Sequence, residues 1–185
     1  MRRSTTDLLP HGFRRAVSAA RIGEAGFVET IGASPKELAA IAAYLGLLSL
    51  EALTAELTLA RWRGKGVKVT GAFKADVTQA CVVTLEPLPA HVESAFERRF
   101  LPEESASFED ASHEVFVDPE GEDPPEALPR EIDLGAIVVE ELSLALEPYP
   151  RKSGVELQSS DAPTATRPSP FAALAKLKPK SQETE

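Results

Sequence analysis

The run from Gly64 to Thr78 reads GKGVKVTGAFKADVT, in which apolar and polar side chains alternate after a glycine-rich start. A period of two is typical of a β-strand that turns one face to a core and the other to water. The apolar face is expected to carry Val67, Val69, Phe73, Ala75 and Val77. Because the glycines of Gly64-Lys65-Gly66 tolerate positive φ angles, this triplet predicts a hairpin turn to a preceding strand.

Further strands are predicted on both sides of this run. Leu50 to Arg63 is expected to form the preceding strand, with Leu57 and Leu59 on one face. After the run, the prolines of residues 85–89 (LEPLP) are expected to end the ladder, because proline has no N–H to donate. Val92 to Phe100 alternates again and predicts another strand.

Two helices are predicted from their end signals. Ser34-Pro35-Lys36-Glu37 fits a capping box with proline at the first helical position, and Gly46 can end that helix in the left-handed conformation. Asp133 is expected to cap a second helix, which Pro148 ends. Two short strands are predicted before the first helix, over Phe13 to Ile22 and Gly26 to Ile31.

These elements predict one α+β domain, with an antiparallel sheet and two main helices, over residues 12–152. Residues 1–11 are expected to be flexible. An acidic loop is predicted over residues 103–131, where many acidic residues occur with a single arginine, Arg130. The tail, residues 153–185, loses periodicity and is expected to be disordered, apart from a short amphipathic island at 170–178.

Composition excludes several classes of protein. A net charge of −9 argues against indiscriminate phosphate binding, although a local basic patch remains compatible with it. The single cysteine, Cys81, excludes an internal disulfide and suits a reducing compartment. Because the longest near-apolar run, Leu38 to Leu48, is too short to span a bilayer, we expect a cytoplasmic protein without a membrane partner.

The sequence contains no recognisable catalytic constellation. His11, His91 and His113 are scattered and are expected in loops or at the surface. Cys81 is interpreted as a small buried hydrophobe, since no base or cation flanks it in sequence. There is no glycine-rich phosphate loop, HExxH motif or paired CxxC. We therefore predict no enzymatic activity, no cofactor, no metal and no small-molecule substrate.

A basic segment at the predicted hairpin is the best candidate for nucleic-acid binding. Its candidate contacts are Arg61, Trp62, Arg63, Lys65 and Lys68. Four cations and an exposed indole could hold phosphates and stack a base of RNA. The alternative is a solvated hairpin end with Trp62 packed on the sheet.

The acidic loop offers a different kind of site. Glu120, Glu122 and Asp123 could attract a basic protein, such as a ribosomal protein, before that protein meets RNA. The alternative is an insertion that only adds solubility.

The stretch QACVVTLEP, from Gln79 to Pro87, is the first of several spaced motifs, and the pattern extends through Val92 to Pro102. It resumes at residues 132–134, then at residues 140–142 and Leu146. These motifs resemble those of the large ribosomal RNA subunit accumulation (YceD) family. The Pro-Tyr-Pro-Arg-Lys run, residues 148–152, and the Ser-Pro-Phe tail are similar to the alphaproteobacterial branch. The family motif residues are Cys81, Thr84, Leu85, Glu86 and Pro87.

This resemblance implies a role in the synthesis, processing or stability of 23S rRNA, with 23S rRNA or a pre-50S particle as partner. Ribosomal protein L32 is a second candidate partner, because bacterial members are typically encoded beside its gene. Many members carry a second cysteine where this chain has Thr84, so a zinc site here would lack a ligand. Two rival functions are a module that chaperones a basic ribosomal protein and a metal-dependent RNA-processing enzyme.

Overall fold

The computed structural model describes residues 11–102 and 125–155. Its elements, in chain order, are β1 (Ala16–Ser18), β2 (Phe27–Gly32), α1 (Pro35–Leu45), β3 (Ser49–Trp62), β4 (Gly66–Ala80), β5 (Pro87–Leu101), β6 (Glu126–Ala127), β7 (Glu131–Asp133) and α2 (Leu134–Ala145). The main sheet has the strand order β2-β3-β4-β5-β6, and β1 pairs with β7 in a small second sheet. All neighbouring strands are antiparallel except β5 and β6. The predicted α+β class is therefore confirmed.

The alternation in β4 divides the main sheet into two faces, as predicted. The core face of β4 carries Val67, Val69, Phe73, Ala75 and Val77, each of which is at most 1% exposed. Leu57 and Leu59 of β3 lie opposite Gly71 and Val69, so they project from this same core face and are fully buried. The other face, called the outer face here, carries the polar residues of the alternation.

Both helices cover the core face. Helix α1 packs on β3 through the fully buried Ile41, and α2 packs on β5 and β4 through residues such as Val138 and Leu142. These side chains belong to the same apolar cluster as the inward residues of the sheet. The outer face of β3, β4 and β5 is consequently left without a helix in the described part of the chain. None of the described helices is long and apolar enough to cross a membrane.

Three expectations about the strands are wrong in detail. The first strand is only Ala16–Ser18, because the backbone then enters a 3-10 turn, and it pairs with β7 instead of joining the main sheet. Pro87 and Pro89 lie inside β5, opposite Ala80 and Thr78, instead of ending the ladder. Proline is tolerated at these positions because the edge of β5 that faces away from β4 is largely unpaired. Among the described residues, only Phe100 and Leu101 pair on that edge.

The acidic loop is shorter at its C-terminal end than predicted. Residues 126–133 contain β6 and β7, and the Leu128 N–H donates to the Leu101 carbonyl at 2.7 Å. Residues 103–124 lie outside the described part of the chain, as do residues 1–10 and 156–185, which include the predicted island. The domain limits and the disordered tail therefore remain predictions. His11 lies in a turn, as expected of a loop histidine, but it is buried, with 3% of its surface exposed.

The start of α1 is organised by Glu37, as the capping box predicts. Its carboxylate accepts hydrogen bonds from the backbone N–H and the hydroxyl of Ser34, both at 2.8 Å. It also accepts two from the Arg15 guanidinium, at 2.9 and 3.1 Å. Gly46 ends the helix with a φ of 68°. These contacts tie the N-terminal segment to the start of the helix.

We expect Glu37→Gln to lower the free energy of unfolding by about 1 kcal/mol at neutral pH, because it removes a charged hydrogen-bond acceptor at a partly exposed site. The Arg15 hydrogen bonds, followed by the Ser34 N–H, lower the pKa of Glu37 from 4.5 to about 2. Its contribution is therefore complete above pH 4.5 and is lost as the pH falls toward 2. Urea titrations across this window should show the two proteins converging at low pH, and a constant difference would contradict the assignment.

Candidate functional site

The predicted hairpin turn joins β3 to β4, but its residues play different roles from those expected. Arg63 and Gly64 have the positive φ angles, 45° and 78°. Gly66 is required for space, since a Cβ there would lie 2.5 Å from the Trp62 carbonyl oxygen and 2.8 Å from that of Phe100. The turn therefore brings Trp62 close to the end of β5, which the sequence pattern alone does not reveal.

Trp62 lies half-buried on the outer face, with arginines against its indole. The guanidinium carbon of Arg63 is 4.5 Å from the ring centroid, and that of Arg99 on β5 is 5.6 Å away. Both distances lie in the range of cation–π attraction. The indole therefore lies in contact with two guanidiniums, one from the hairpin turn and one from β5.

Lys68 and Arg99 lie directly opposite each other on β4 and β5. Their side chains meet at the carboxylate of Glu97, at 3.4 Å from the Lys68 ammonium and 2.6 Å from the Arg99 guanidinium. The pKa of Glu97 is lowered, chiefly by the Arg99 hydrogen bond. We call Trp62, Arg63, Lys65, Lys68 and Arg99 the basic tip.

The structure separates one predicted residue from this group. Arg61 is paired with Val67, which belongs to the core face, so Arg61 and Trp62 project from opposite faces. The Arg61 guanidinium donates instead to the Lys65 carbonyl at 3.3 Å. Arg99, which the sequence reasoning missed as a candidate, takes its place. If the register of β4 and β5 had been counted from the turn that joins these two strands, Arg99 could have been placed opposite Lys68.

The basic tip has the chemistry of a phosphate-binding surface. Arginine can grip a phosphate through two parallel hydrogen bonds, and lysine adds a mobile point charge. An open sheet face with an aromatic residue and cations is a common form of platform for single-stranded nucleic acid. The rival acidic residues Glu120, Glu122 and Asp123 lie outside the described part of the chain.

The family motif forms the Cys81 turn, residues 81–86, at the opposite end of β4. The Cys81 N–H donates to the Glu86 carbonyl at 2.8 Å, and the Leu85 N–H donates to the Cys81 carbonyl at 2.9 Å. Leu85 has a φ of 61°, a conformation that leucine rarely adopts, and its side chain is 76% exposed.

This turn anchors the segment that follows α2. The Val82 N–H donates to the Pro150 carbonyl at 2.9 Å, and the Lys152 N–H donates to the Cys81 sulfur at 3.5 Å. The Lys152 ammonium also pairs with Glu86 at 2.9 Å. The two stretches singled out by sequence, Gln79–Pro87 and Pro148–Lys152, are therefore in contact. Their role in the fold is to hold the segment that follows α2 against the end of the sheet.

Cys81 is fully buried, as expected, but it is more than a small hydrophobe. The Thr84 hydroxyl, with the backbone N–H groups of Lys152, Thr84 and Val83, lowers the pKa of its thiol from 9.0 to about 6. Thr84, at the position where a second metal-binding cysteine would stand, is therefore the main cause of this lowered pKa. Within the described residues, no group of three His, Cys, Asp or Glu side chains could hold a metal ion.

We expect Cys81→Ser to lower the free energy of unfolding by about 1 kcal/mol while leaving the function of the protein unchanged. Because the folded-state pKa of Cys81 is lowered to about 6 from 9.0, the wild type should gain stability as the pH rises between these values. That gain is complete above pH 9.0, is lost as the pH falls through 6, and should be absent from the serine variant. Parallel pH profiles, or stoichiometric zinc in the purified protein, would contradict this view of the turn.

A second polar cluster lies on the outer face of β4 and β5, farther from the tip. His91 bridges Asp76 at 2.6 Å and Glu93 at 2.9 Å, and Lys74 pairs with Glu93 at 2.7 Å. The Asp76 hydrogen bond is the main cause of a raised pKa for His91. All four side chains are about half exposed or more, so these pairs contribute little to stability.

The chain matches one protein-family model, that of the large ribosomal RNA subunit accumulation protein YceD, over residues 69–178. This match covers more than half of the 185 residues and includes the Cys81 turn and α2. It begins one residue after Lys68, so of the basic tip only Arg99 lies within it. No curated protein and no solved structure matches the chain significantly.

Proposed function

The chain belongs to the YceD family of large ribosomal RNA subunit accumulation proteins, and we propose that it supports 23S rRNA and large-subunit assembly by binding, without catalysis. The family name supports the connection with ribosomal RNA. The further proposal, that the role is non-enzymatic, is supported by the lack of a catalytic motif in the sequence. We place this activity in the cytoplasm, where ribosomes assemble, with 23S rRNA or a pre-50S particle as partner.

One observation supports direct contact with RNA. In a chain of net charge −9, Arg63 and Arg99 lie against Trp62 at one end of an open sheet face, and Lys68 lies opposite Arg99. Phosphate contacts by such cations release counterions from RNA, which makes binding favourable and dependent on salt. The basic tip is therefore the proposed RNA contact, with Lys65 at its outer end.

A second candidate function is the chaperoning of a basic ribosomal protein, for example L32. The net charge of −9 favours such a partner, because long-range attraction between opposite charges speeds association. The candidate contacts for this role are Glu120, Glu122 and Asp123. An RNA-processing enzyme that collects Mg²⁺ on acidic residues is a weaker third candidate.

A single set of strains can separate the first two candidates. One strain carries Arg63→Glu with Lys68→Glu, and a second carries Glu120→Gln, Glu122→Gln and Asp123→Asn. Gradient sedimentation then measures 23S rRNA and free large subunits against wild type and a deletion strain. Direct RNA binding predicts that the first set of changes reproduces the deletion. If only the second set does so, the protein acts through a basic partner, and if neither does, both candidate sites are wrong.

A further inference from the structure

Glu97 occupies an unusual position beside the basic tip. Lys68 and Arg99 face each other directly across β4 and β5, an arrangement in which two like charges repel. Glu97, two residues before Arg99 on the same face, accepts from both, at 3.4 and 2.6 Å. Its side chain is about one third exposed, so solvent and ligands can reach the carboxylate.

The Glu97 carboxylate resembles a phosphodiester in the features that these cations recognise. Both groups carry one negative charge and present two oxygens that accept charge-assisted hydrogen bonds. A surface ion pair of this kind contributes little to folding, so exchange of its anion costs the fold little. The two cations are thus positioned to hold an anionic group together, and the Glu97 carboxylate contacts both of them.

We propose that Lys68 and Arg99 form a phosphate subsite, and that a phosphodiester of RNA displaces Glu97 from it. This inference rests on the proposed function, since it assumes that the basic tip binds RNA. It adds a defined ligand group, the RNA backbone phosphate, and a residue that competes with it. Glu97 thereby weakens RNA binding, because its carboxylate has to leave the two cations before a phosphate can bind them.

The same strand supplies a matched control. Glu93 lies four residues before Glu97 on the outer face of β5, and it pairs with Lys74 on β4 at 2.7 Å. Glu93→Gln and Glu97→Gln therefore remove the same charge from the same strand and the same kind of lysine pair. Of these two glutamates, Glu97 is the one that contacts both cations of the proposed subsite.

The test measures the affinity of the full chain for a single-stranded RNA fragment of 23S rRNA at several salt concentrations. We expect Glu97→Gln to bind about fivefold more tightly than wild type, the equivalent of one released surface ion pair. Its plot of log affinity against log salt should steepen by roughly 0.7 for each cation that Glu97 no longer neutralises. Glu93→Gln should change affinity less than about twofold, and adding Lys68→Gln to Glu97→Gln should cancel most of the gain.

Each outcome is decisive. If Glu97→Gln and Glu93→Gln behave alike while wild type binds RNA, Glu97 does not fill a phosphate subsite, but the proposed function stands. If Glu97→Gln binds more tightly and Lys68→Gln does not cancel the gain, the subsite is also wrong. If neither wild type nor Glu97→Gln shows salt-dependent RNA binding, both the subsite and the proposed RNA contact are overturned.

Discussion

Replacing Arg98 with alanine is expected to lower the free energy of unfolding by about 2–3 kcal/mol. This loss is smaller than that for a fully buried ion pair, because two of the three carboxylates that Arg98 contacts are exposed. Arg98 projects from the core face of β5, opposite Val69, and its side chain is 20% exposed. Its guanidinium contacts three carboxylates, those of Glu126 at 2.8 Å, Glu140 at 3.1 Å and Glu141 at 2.8 Å. Alanine would leave these carboxylates facing one another without a cation.

Chemical denaturation of Arg98→Ala and Lys74→Ala provides the comparison. Among the described residues Lys74 pairs with exposed Glu93 alone, so its removal should cost less than about 1 kcal/mol. Equal losses in the two variants would mean that Arg98 does not fasten α2 and β6 to the sheet.

Reversing two charges of the basic tip is expected to have the largest effect on RNA binding. Arg63→Glu with Lys68→Glu should remove about 2–3 kcal/mol of binding free energy, or roughly 30- to 150-fold in affinity, as two charged contacts are lost. The slope of log affinity against log salt should become shallower by about 1.4, or roughly 0.7 for each lost phosphate contact, since fewer counterions are released. Filter binding or fluorescence anisotropy with a 23S rRNA fragment measures both quantities.

A control for this prediction must change the net charge equally at a distance from the tip. Lys36 at the start of α1 and Arg151 beside the Cys81 turn are exposed and lie away from the hairpin. Lys36→Glu with Arg151→Glu should reduce affinity far less, and should leave the salt dependence close to that of wild type. If the two double variants weaken binding alike, RNA responds to overall charge and not to the basic tip.

Local sequence patterns predicted the sheet and the first helix well, for physical reasons. The alternation in β4 is unambiguous because a shift of one residue would expose Val69 and Phe73. The capping box at Ser34 is equally local, since Glu37 reaches Ser34 within one helical turn. Signals of this kind need no knowledge of the rest of the fold.

The candidate site was only partly predictable, because its key contacts depend on strand register. Arg99 lies near Trp62 and Lys68 because of the register in which β3, β4 and β5 pair. That register is set by the residues of the turns between these strands. The same register moved Arg61 to the other side of the sheet. The contact of the Cys81 turn with Pro150 joins residues far apart in the chain, and no local pattern encodes such a contact.

The most direct test of the central claim, that the basic tip contacts 23S rRNA, is crosslinking in cells. A photoreactive amino acid replaces Lys65 in the exposed hairpin turn, and in a second strain it replaces Leu48, which is 55% exposed and bonds to Thr78 toward the other end of β4. After irradiation, captured RNA and proteins are identified. The account predicts 23S rRNA fragments from position 65 and few or none from position 48. Capture of proteins alone at position 65, or equal capture of rRNA from both positions, would contradict it.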